Sequence, residues 1–164
     1  KRDFNMCEFK LFQEIIALSN ADDWEEAKKE WDLDSVYESE EKQTCLCGHY
    51  PIVNICVLYN VSNKNVAEVG NECVKKFFKI ELADAIIKSI KKIKADISKS
   101  INIETIDYLH SKRCINDWEY GFYKNIKAKR KLSDKQMAIK IKINNKFLQF
   151  TKYELKDNPV TTNN

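Results

Sequence analysis

Two cysteines and a histidine stand at alternate positions, Cys45, Cys47 and His49, with Gly48 in the bend, and Cys73 follows after an apolar stretch. Thiolate and imidazole are ligands that suit Zn²⁺, and four of them closed into a tetrahedron make a structural site. The spacing predicts a Cys₃His set, with Cys45, Cys47 and His49 in one knuckle. Cys73 joins from the first turn of a helix, where the helix end favours a thiolate. Cys56 is a rival ligand: it lies one step out of phase with Ile55 and Val57, so it points either at the metal or into the core. If Cys56 completes the site, His49 becomes a surface histidine. Cys7 stands alone near the first helix and reads as a core residue. His110 and Cys114 are four apart, but two ligands without an acidic cluster read as structural.

These ligands need a scaffold, and the residues between them describe one. Ile52, Val53, Ile55, Val57 and Tyr59 form a β-branched, period-two run; Ser62-Asn63-Lys64-Asn65 is a polar turn, and Val66 to Val69 a second short strand. Gly70-Asn71-Glu72-Cys73 then opens a helix. Knuckle, hairpin and ligand-bearing helix, in that order, are the parts of a treble-clef zinc unit.

The same stretch resembles a group of small bacterial, phage and large-virus proteins with a treble-clef-like zinc-binding domain. The shared pattern runs through Trp31, Leu33, Val36 and Glu38, then C-x-C-G-H-x-P-I at Cys45 to Ile52, then Asn60. It closes with V-G-N-x-C-V-K-K-F at Val69 to Phe77. Arg130-Lys-Leu-Ser-Asp-Lys-Gln136 resembles a helix start that recurs with this finger, so the likeness covers about half the chain. The resemblance implies structural Zn²⁺ and an association with phage and nucleic-acid-handling genes.

Around the zinc unit the spacing is helical. A first amphipathic helix is expected from about Glu8 to Ser19, and a second, capped by Asn20, from Ala21 to Trp31 with a stripe of Trp24, Ala27 and Trp31. Leu33 to Tyr37 alternates as a strand beside the hairpin, and Glu38 to Gln43 reads as a solvated loop. Cys73 to Lys79 is a short helix and Leu82 to Ile97 a longer one. Asn102 and Asn116 cap two more, the latter with Trp118, Phe122 and Ile126 on one side. Ser133 with Gln136 forms a capping box for a helix from Asp134 to about Phe150. The fold class is α+β and mostly helical: a zinc unit with a small β-hairpin packed by five or more helices. The expected divisions are an acidic part at 1–43, the zinc unit at 44–80, a basic helical part at 81–152 and a tail at 153–164.

The 164 residues include six cysteines, 28 Lys+Arg and 25 Asp+Glu. Four cysteines crowd the knuckle and hairpin, which favours metal in a reducing cytoplasm, bacterial or that of an infected host cell, over a disulfide framework. No apolar run approaches the ~18 residues of a membrane span, and no signal peptide is visible at the N-terminus. No P-loop, G-x-S-x-G or H-E-x-x-H motif occurs, so no enzymatic activity is expected; a metal-dependent nuclease is the minor alternative.

The net charge of +3 conceals an acidic first part and a basic remainder. Lys75 and Lys76 follow the last zinc ligand, while Lys127, Lys129, Arg130 and Lys131 cluster near Tyr120 and Tyr123. Lysines with aromatics able to stack on bases predict nucleic-acid binding. The alternative is a protein-interaction module or inhibitor, such as a phage counter-defence protein, whose partner is a host protein complex.

Overall fold

Trp31 decides how the first third of the chain folds. In the computed structural model, which describes residues 6–77 and 80–157, Trp31 begins strand β1 (Trp31–Gln43) and pairs with Asn60 of β2 (Ile52–Asn60). Its indole N–H donates to Ser19 Oγ at 2.9 Å. The helix expected from Ala21 to Trp31 therefore shrinks to α2 (Trp24–Ala27) and a 3-10 turn at Lys28–Glu30. Long-range ladder pairing and burial of Trp31 outweigh local helix preference. Asp23, not Asn20, is the N-cap, accepting from Glu26 N at 3.1 Å. Asn20 N and Ala21 N instead donate to the Glu30 carboxylate, which also accepts from Asn60 Nδ2 at 2.7 Å. Those bonds outweigh the burial that would raise the Glu30 pKa, and hold it low.

The sheet is antiparallel in the order β1-β2-β3, with β3 at Val66–Gly70. The expected Leu33–Tyr37 strand is present but longer. Glu38 to Gln43, expected as a loop, stays in the strand across a register irregularity, half-buried at its ends and exposed at Glu40, Glu41 and Lys42. Buried Asn60 shapes the hairpin tip by accepting from Ser62 N and Asn63 N, while Asn63 and Asn65 donate to Leu18 O. That last pair ties the tip to the end of α1 (Met6–Ala17), whose Leu11 and Ile15, one turn apart, are fully buried. Phe12 stacks on Trp24 with ring centroids 4.0 Å apart, and Trp24 meets Phe77 edge-on. The helix expected at Cys73–Lys79 is α3, Asn71–Val74; Lys79 lies outside the described residues.

The chain divides into two compact units, Lys1–Ala83 and Asp84–Asn164. β1 and β2 pair in one sheet across the expected 43/44 division, and α4 (Ile80–Ala95) spans both 80/81 and 83/84. The first unit holds 10 Lys+Arg against 16 Asp+Glu, net −6, and the second 18 against 9, net +9, so the charge polarity follows the units. The second unit contains α5 (Ile103–Ser111), α6 (Asp117–Lys127) and α7 (Asp134–Asp157). Asn102 caps α5, Asn116 caps α6 and the Ser133/Gln136 capping box opens α7, as expected; Glu119 completes a second capping box with Asn116. α7 runs past Phe150 to Asp157, into the expected tail, whose remainder from Asn158 lies outside the described residues. Ile86, Ile90, Ile106, Leu109, Tyr123, Ile143 and Phe147 supply buried core side chains. Among the described residues no helix is long and apolar enough to cross a membrane.

Candidate metal centre and basic surface

The knuckle is held by its own backbone: Cys45 N donates to His49 O at 2.9 Å, and Gly48 N to Cys45 O at 2.8 Å. Gly48 sits at φ +91°, a conformation that strains any residue with a Cβ. The tight turn brings Cys45 and Cys47 to one side, and α3, reached directly from β3, adds Cys73. The three Sγ atoms all lie within 4.8 Å of one another, and all three cysteines are free thiols. A zinc tetrahedron with Zn–S bonds of about 2.3 Å has S···S edges of about 3.8 Å, so this convergence fits three of its corners.

Backbone amides already point at two of the sulfurs. Gly70 N donates to Cys45 Sγ at 3.3 Å and His49 N to Cys47 Sγ at 3.4 Å. Such N–H···S bonds stabilise negative charge on sulfur. Hydrogen bonding from the Cys73 thiol, with help from the backbone amides of Cys47 and Gly70, lowers the Cys45 pKa to about 5 despite burial. The same interaction, seen from the donor, pushes Cys73 up, and burial raises Cys47. Helix position favours a thiolate at Cys73, whereas hydrogen bonding among the sulfurs favours one at Cys45. A divalent cation bound by the three sulfurs would replace their shared protons.

His49 is not in the converging set. Its side chain is exposed, although it lines the same cavity of about 550 Å³ as the three thiols. Cys7 of α1 also lines this cavity, which its isolation in the sequence does not reveal. Cys56 is fully buried outside the set, its pKa pushed up to about 12 by burial and then by Cys45; that is the behaviour of a core thiol.

The basic residues divide. Lys75 pairs with Glu72 at 3.1 Å and Lys76 with Glu8 at 3.7 Å, which occupies both cations beside the cysteine cluster. Lys127 Nζ donates to Ile101 O at 2.8 Å. Lys129, Arg130 and Lys131 are exposed after α6, and none forms an ion pair among the described residues.

Neither expected stacking tyrosine offers a free face. Tyr123 is fully buried, its hydroxyl accepting from Ile101 N and donating to Asn144 Oδ1. The Tyr120 ring stacks on His110 at 4.1 Å, with Lys124 Nζ 4.8 Å from its centroid. His110 in turn bonds Asp117 at 2.7 Å, a structural role as expected. In the second unit the exposed aromatic among the described residues is Trp118, 61% accessible and stacked on Phe122. The buried positions Glu119, Tyr123 and Ile126 follow helical spacing, and that phase, available from the Asn116 cap onward, places Trp118 outside.

No protein-family model matches the chain, and no curated protein or solved structure shows significant similarity to it.

Proposed function

We propose that this is a zinc-stabilised, non-catalytic nucleic-acid-binding protein of phage or mobile-element type. The observation that carries the binding reading is the exposed Lys129-Arg130-Lys131 run, without an ion pair among the described residues, on a unit of net charge +9. Exposed lysines attract phosphate without reading bases, and Trp118 on the same unit provides a face on which a base can stack.

The first unit supplies a treble-clef-like scaffold. Cys45, Cys47 and Cys73 hold structural Zn²⁺, with His49 on the cavity wall as the fourth ligand. Three thiolates closed by an imidazole form a coordinatively complete site, whose contribution is folding energy and not an open catalytic position.

Fluorescence anisotropy with single-stranded and duplex DNA and RNA at two salt concentrations tests the reading. Binding is expected to fall steeply with salt and to depend little on sequence. Replacing Lys129, Arg130 and Lys131 by glutamine is expected to weaken it. No binding by the wild type at low salt overturns the reading and favours a docking role on a host protein complex.

A further inference from the structure

The turn between α4 and α5 is held from two sides. Asn144 of α7 donates to Ile97 O at 2.7 Å and Lys99 O at 2.8 Å, while Tyr123 and Lys127 of α6 hold Ile101 N and O. Lys140 is one helical turn before Asn144, and Lys127 one turn after Tyr123, so both rise beside the clamped turn that carries Lys99. Lys92 is one turn before Asp96 at the end of α4 and acts electrostatically on both Lys127 and Lys140; Lys99 acts on Lys140 as well. Three cations, Lys92 of α4, Lys127 of α6 and Lys99 of the clamped turn, thus lie within electrostatic reach of Lys140 on α7.

Lys140 is the unusual member. The residue is only 7% exposed, yet it makes no hydrogen bond or ion pair among the described residues. Ser35 Oγ is the only fully buried side-chain polar atom left without a partner there, so the Lys140 ammonium still touches solvent. Its stem is buried while its head is held at the surface among like charges. The acidic groups nearby are few. Asp96 acts on Lys140 and Lys99, but its carboxylate is engaged by Ser98 N and Oγ, and Glu104 acts on Lys127. An ammonium held beside three like charges without an ion-pair partner is disfavoured, and an anion seated on it relieves that repulsion.

We infer that Lys92, Lys99, Lys127 and Lys140 form a seat for a phosphate group. In its polynucleotide form the seat deepens, and rests on, the nucleic-acid reading above, since it holds a backbone phosphate. Free inorganic phosphate presents the same chemistry. Asn144 and Tyr123 act as positioning residues that fix the turn.

The full-length, zinc-loaded protein is compared with Lys92→Gln/Lys140→Met, in which methionine keeps the apolar stem. Lys92→Gln/Lys99→Gln, confined to exposed positions, serves as a second variant should the first fold poorly. Anisotropy with a labelled single-stranded oligonucleotide is read across salt, and the melting temperature is read with and without inorganic phosphate. The variants are expected to bind about tenfold or more weakly. Their log–log salt slope should be shallower by about 0.7 for each phosphate that is no longer engaged. Phosphate is expected to raise the melting temperature of the wild type and not of the variants. Without phosphate, Lys140→Met is expected to melt no lower than the wild type, because it removes a repelled charge.

If the wild type binds the oligonucleotide and both folded variants bind with the same affinity and slope, the seat is refuted and the nucleic-acid reading stands. If the wild type ignores the oligonucleotide but phosphate stabilises it through these lysines, the seat holds a free phosphate and the nucleic-acid reading fails. If neither ligand has an effect, both are refuted.

Discussion

Asn144→Ala should be among the most damaging single changes in the second unit. Asn144 is fully buried and makes three side-chain hydrogen bonds: Nδ2 to Ile97 O and Lys99 O, and Oδ1 from the Tyr123 hydroxyl at 2.7 Å. At a net worth of about 1 kcal/mol each, they account for about 3 kcal/mol. The buried Tyr123 hydroxyl keeps its bond from Ile101 N but loses its acceptor, and adds about 1 kcal/mol as an unsatisfied donor. For a domain of this size that corresponds to a fall of roughly 12 °C or more in the second unit's melting temperature. Urea and thermal unfolding followed by circular dichroism, with zinc kept saturating, measure it. Tyr123→Phe breaks the same network from the other side. The two changes should therefore be non-additive, with a coupling of about 1 kcal/mol or more. A loss below about 1 kcal/mol for Asn144→Ala, or simple additivity with Tyr123→Phe, would refute the idea that one network fixes the α4–α5 turn.

Ser133→Ala removes the Oγ acceptor of Gln136 N at the start of α7 and should cost about 1 kcal/mol, seen as a lower urea midpoint with binding intact in the cold. Loss of binding with an unchanged midpoint would place that helix start in the binding surface instead. Glu119 should give the second unit an acid-sensitive contribution. Burial alone would raise its pKa, but the hydrogen bond from Lys146 and the Asn116 backbone outweigh this and lower it. Stability from a depressed carboxylate is fully present above its ordinary value of 4.5 and is lost as pH falls through the lower folded value. Glu119→Gln should flatten the stability profile in that acid range; an unchanged profile would contradict the assignment.

Local chemistry is what the sequence makes legible. Asn102, Asn116 and Ser133 each cap a helix through partners within three residues, so spacing alone locates them. The second helix comes out too long from periodicity because the competing interaction, Trp31 with Asn60, spans 29 positions and cannot be seen in a helical window. Glu38 to Gln43 looks like a loop through its charges, yet a strand with water on one side accepts charges readily. In the candidate site, residue type and spacing bring out Cys45, Cys47 and Cys73. The position of His49 depends on where an exposed side chain turns, and nothing in the pattern specifies that. Tyr120 and Tyr123 stand near lysines along the chain, but helix phase buries one and stacks the other.

Metal content tests the central claim most directly. Protein purified under reducing conditions and analysed by elemental mass spectrometry should carry about one zinc per chain, as a single closed structural site requires. Cys73→Ser, which removes one of the three converging sulfurs, should lose that zinc, and Cys56→Ser, buried outside the cluster, should keep it. Metal-free wild type, or full zinc retained in Cys73→Ser, would contradict the account.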